Sequence, residues 1–79
     1  MTRQEKKEMI SKFKETLKSC YPLSHAYCVP LTSEYFVAVA TLTYEAVVRQ
    51  AWLYNDGSIV IHYLESDYSD NTTYKTRLD

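Results

Sequence analysis

Cys20, His25, Cys28 and His62 are the soft side chains of this sequence that could bind a transition metal. Their order, Cys-x4-His-x2-Cys with a distant histidine, lacks the paired Cys-x2-Cys spacing from which structural zinc sites are built. If the segment around His25 is extended, alternation also sends His25 and Cys28 to opposite faces. A buried thiol and a surface histidine are therefore expected, with no metal. Glu65, Asp67 and Asp70 form an acidic run, but no glycine sharpens a turn there and no glutamate closes a calcium loop, so a solvated acidic loop is expected. Ser24 and His25 are mere neighbours in sequence, whereas catalytic triads draw on separate segments. Gly57 is the single glycine, and a glycine-rich phosphate cradle cannot be made from one. The expectation is a protein that is not an enzyme and has no cofactor.

Charge raises a second possibility. Arg3, Lys6, Lys7, Lys12, Lys14 and Lys18 outweigh Glu5, Glu8 and Glu15 in the first twenty residues, while the remainder is acidic and the whole chain carries a net charge of −1. Lys6, Lys7, Lys14 and Lys18 could meet nucleic-acid phosphates while tyrosines on strands stack on bases. The overall isoelectric point of about 6.1 argues against this, because domains of that kind are usually strongly basic. A solvated helix face accounts for the same lysines.

The elements that would carry these residues can be read from punctuation and period. Thr2 and Glu5 have capping-box spacing, and Met9, Ile10, Phe13, Leu17 and Tyr21 follow as one apolar stripe. Pro22 ends that helix by pushing Tyr21 out of helical angles. Between Pro22 and Pro30, LSHAYCV suits an edge strand or an extended connection. Residues 35 to 42, YFVAVATL, are β-branched or aromatic on both parities, as in a central strand. Residues 43 to 54 fit either a helix, through Tyr44, Val47, Val48, Ala51 and Trp52, or a strand. The strand is favoured, because Asn55-Asp56-Gly57 suits a three-residue hairpin loop with glycine in the left-handed position before a strand at Ile59 to Leu64. The polar loop ESDYSDN then leads to TTYKTRL, an expected solvated edge strand.

The fold class that follows is α+β: one N-terminal amphipathic helix packed on a three- to four-stranded antiparallel meander, in a single small domain spanning residues 1–79. The charged N-terminal segment fits neither a secretory signal nor a membrane span, which implies a soluble cytoplasmic protein with reduced thiols.

With that hairpin loop, Leu53 faces Ile59, Ala51 faces Ile61, Arg49 faces Tyr63 and Val47 faces Glu65. On the other parity Trp52 faces Val60, Gln50 faces His62 and Val48 faces Leu64. Both faces are largely apolar, and one helix can cover only one of them. The helix side is assigned Leu53, Ala51, Ile59 and Ile61 with Phe36, Ala38, Ala40 and Leu42, whose small members admit a close helix. Left over are Trp52, Tyr54, Val48, Val60, His62 and Leu64, joined by Tyr35, Val37 and Val39, an apolar patch on the order of 400 to 800 Å². Loops 22–34 and 65–71, or a helix at 43–54, are the alternative cover for it.

Eight tyrosines and one tryptophan, flanked by acids, are the materials of protein interfaces. The sequence therefore points to a small protein-binding module, an inhibitor or adaptor, acting through Trp52, Tyr54, Val60, His62 and Tyr35 with Glu65, Asp67 and Asp70 steering the approach. Its partner is another protein or, as a homodimer, a second copy. The architecture resembles cystatin-like and other one-helix-plus-sheet proteins, and the glycine-poor, tyrosine-rich chain resembles accessory proteins of phages and mobile elements; neither likeness carries function.

Overall fold

A computed structural model describes residues 2–65 and 74–78. Thr2 caps helix α1 (Arg3–Cys20): its hydroxyl accepts the Glu5 N–H at 3.1 Å. At the other end the Tyr21 N–H still reaches Leu17 O at 2.8 Å, but Tyr21 itself has left helical angles (φ −132, ψ 68) and Pro22 lets the helix go no further. The predicted stripe faces the sheet. Phe13 and Leu17 are buried, and Met9, Ile10 and Tyr21 pack against the same core. The Arg49 guanidinium lies over the Tyr21 ring, 4.6 Å from its centroid, and seals that end of the helix.

Five strands follow, β1 (His25–Pro30), β2 (Phe36–Tyr44), β3 (Val47–Tyr54), β4 (Ser58–Glu65) and β5 (Tyr74–Arg77), paired antiparallel in chain order. This is the expected α+β architecture with a strand more than expected, since the proline-bounded segment pairs with β2 as an edge. Residues 43–54 are strand on either side of a tight turn, and the turn is at Glu45, which takes a left-handed φ of 52. The next turn is the predicted one: Gly57 has φ 93, its N–H reaches Tyr54 O, and an Asp56 carboxylate oxygen accepts the Ser58 N–H at 2.8 Å. Neighbouring segments lock onto this turn. Asn55 binds Tyr35 O and Glu34 O, Arg77 Nη2 donates to Asp56 O at 2.9 Å, and Leu78 N–H donates to Gly57 O.

The core lies between α1 and one sheet face. Ala38, Ala40, Leu42, Ala51, Leu53, Ile59 and Ile61 are each at most 1% exposed there. The three alanines lower the sheet surface under α1, which approaches β1 and β2 most closely.

Two bulges correct the face assignment. Phe36 pairs with Tyr54 and Ala38 with Leu53, so Val37 is an extra residue on β2. Phe36, expected on the helix side, is thereby carried to the opposite face, and Val37, expected outside, is buried in the core. The pairings Leu53↔Ile59, Ala51↔Ile61, Arg49↔Tyr63, Trp52↔Val60 and Gln50↔His62 are as expected. Beyond them the register slips: Val48, not Val47, is opposite Glu65, and Leu64 is the extra residue on β4.

Candidate functional site: the outer sheet face

Among the described residues, no helix or strand lies over the sheet face turned away from α1. Register places its residues in rows across the strands. Val29, Val39, Trp52 and Val60 form one row, with Lys75 next to Val60 on β5, and Tyr27, Thr41, Gln50 and His62 form another. Beside Trp52 lies an aromatic group made possible by the β2 bulge. The Phe36 ring is 5.0 Å from Trp52 and 4.7 Å from Tyr54, tilted by 58° and 48°, within the range of favourable edge-to-face contacts. Phe36 is the member that periodicity missed, because a bulge changes which parity faces outward without leaving a residue type that announces it.

The expected site residues divide as follows. Trp52, Tyr54 and Val60 come together, half-buried, on this face, and His62 is exposed at its margin. Tyr35 lies just before β2 and is 66% exposed. Glu65 is the last residue of β4, beside Val48. Asp67 and Asp70 lie outside the described residues.

The lysines of α1 belong to the other side of the molecule. Lys6 Nζ donates to the Leu31 carbonyl and so ties the start of α1 to the β1–β2 loop. Lys7 is exposed, and Lys14 and Lys18 lean toward β1. These lysines and the outer aromatic rings therefore lie on opposite sides of the sheet.

Register places His25 on the outer face opposite Thr43 and Cys28 on the helix side opposite Ala40. Burial raises the Cys28 thiol above its ordinary pKa, and the nearby Lys14 ammonium pulls the other way without overcoming it. Cys20 is exposed on the helix, and both thiols are free. Among the described residues, His, Cys, Asp and Glu nowhere gather in threes as a metal would require. No helix there is long and apolar enough to cross a membrane.

No family model, curated protein or solved structure matches this chain.

Proposed function

We propose that the chain is a non-enzymatic protein-binding module, an inhibitor or adaptor of the kind phages and mobile elements use, whose outer sheet face docks on another protein. The observation that carries this reading is the group Phe36, Trp52 and Tyr54, three contacting aromatic rings left only half-buried on the face opposite the helix. Large rings already held against one another lose little side-chain freedom when a partner covers them, which is why such groups anchor interfaces. Val29, Val39 and Val60 extend the apolar surface around the anchor. Thr41, Gln50 and His62 provide a rim able to exchange hydrogen bonds with the partner. Glu65 at the end of β4, with Asp67 and Asp70 after it in sequence, would steer a basic partner surface toward this face. The rival reading, a basic helix on nucleic acid, has no comparable support, since its lysines and the stacking rings are on opposite sides.

The test combines sizing of the isolated chain with affinity purification from the native host, comparing the parent with Trp52→Ala/Tyr54→Ala. A specific partner retained by the parent and lost by the folded double variant supports the reading. A second copy as occupant would appear as a dimer of the isolated chain that the double variant dissociates. Identical sedimentation and identical capture by the two proteins would defeat it.

A further inference from the structure

The two edges of the sheet are built differently. The Leu31 N–H donates to Val37 O at 2.9 Å. In the antiparallel register this makes Val29–Val39, Tyr27–Thr41 and His25–Thr43 the hydrogen-bonded pairs. The backbone groups of Ala26 and Cys28 consequently point away from the sheet. So does the carbonyl of Pro30, which has no N–H to offer and closes this edge at one end. The opposite edge, β5, is four residues long and carries Lys75 and Arg77, the charged side chains that usually guard an edge against further pairing. On β1 the guarding is weaker: Tyr27 is 67% exposed and Val29 38%.

Between this edge and the second half of α1 runs a groove of about 430 Å³, with Leu17, Ala40 and Cys28 in its lining and Lys14 and Lys18 beside them. No carboxylate lines it among the described residues. Lys14 and Cys28 line this groove together, and the Lys14 ammonium opposes the upward shift that burial gives the thiol.

We propose that β1 and this groove take up an extended, acidic segment of a partner protein as a sixth strand. Ala26 and Cys28 supply its main-chain hydrogen bonds, and alternation sorts its side chains. Residues on the helix side of the added strand meet Lys14 and Lys18 and are acidic. Residues on the outer side meet Tyr27 and Val29 and are apolar. Charge argues against a second copy at this edge, because pairing two β1 strands would bring Lys14 and Lys18 of both chains to one seam. This edge adjoins the outer face at Tyr27 and Val29 but does not include the aromatic group Phe36, Trp52 and Tyr54.

A dye-labelled peptide of alternating glutamate and valine, titrated against the full chain at low salt, provides the test. The expected result is saturable binding that slows amide exchange of Ala26 and Cys28 while that of Tyr27 and Val29, already bonded to β2, stays nearly constant. Lys14→Glu/Lys18→Glu should weaken it about tenfold or more by reversing the local charge. Cys28→Pro should weaken it similarly, by deleting an outward N–H that the β1–β2 ladder does not use. If that variant misfolds, the lysine pair and the exchange pattern decide. Trp52→Ala/Tyr54→Ala should leave peptide binding intact, which separates this proposal from the outer-face reading. Equal binding of a lysine–valine peptide, or protection anywhere but Ala26 and Cys28, overturns the proposal. So does an oligothymidylate that displaces the peptide and binds more tightly, or a dimer of the isolated chain in which those two amides are already protected.

Discussion

The two faces of this sheet are made by the same strands from similarly apolar residues, yet they end in different states. Leu53 and Ile59 are fully buried beneath α1, while their neighbours Trp52 and Val60, one residue away along the same strands, remain half-buried. Hydrophobicity does not separate the two sets. What separates them is that the chain supplies one amphipathic helix, and a helix can remove only one face from water. The difference teaches that apolar character on a strand reports a capacity for burial, and the partner that realises it must be found elsewhere in the chain or outside it.

Truncation offers the largest contrast between the faces. Leu53→Ala opens a cavity under α1 and should cost about 3 kcal/mol, whereas Trp52→Ala leaves a gap that solvent can enter and should cost about 1 kcal/mol in the isolated chain. Chemical denaturation of both variants checks this, and equal losses would mean that the outer face is as enclosed as the inner one. A smaller effect comes from the turn that decides which residues share a face. A Cβ at Gly57 would meet nothing closer than Arg77 Nη2 at 4.0 Å, so Gly57→Ala is penalised by its left-handed φ alone, by about 1 kcal/mol. Thermal unfolding should register that loss while Trp52 fluorescence stays native.

The smallest effect is in pH. The Ser58 N–H bonded to its carboxylate, with Arg77 nearby, holds the Asp56 pKa below the ordinary carboxylate value. A group whose folded pKa is depressed contributes stability above its unfolded pKa and loses it as pH falls through the folded value. Asp56→Asn should therefore flatten the acid limb of the stability profile by lowering the neutral plateau slightly, with stability at low pH nearly unchanged. An unaltered acid limb would detach Asp56 from the turn's stability.

The aromatic site was legible in part. Trp52, Tyr54, Val60 and His62 could be grouped because the asparagine, aspartate and glycine of one loop set the β3–β4 register, and register sorts every later residue by parity. Phe36 could not be added, since Tyr35, Phe36 and Val37 are all compatible with either face. Only the extra residue opposite Leu53 and Tyr54 decides among them. Tyr44-Glu45-Ala46-Val47 likewise contains none of the usual turn residues. The surrounding strands impose the left-handed conformation at Glu45 that glycine or asparagine would adopt more readily.

From sequence alone came the capped helix and its buried stripe, the Gly57 hairpin and the inventory of two apolar strand faces, because each depends on residues close together in the chain. Tertiary structure decided which face α1 covers, where the two bulges fall, and that the proline-bounded segment becomes an edge with Ala26 and Cys28 turned outward. Those outcomes depend on how distant segments pack. Local propensity is nearly the same for the alternatives, so the choice is made by contacts that exist only once the sheet and the helix have met.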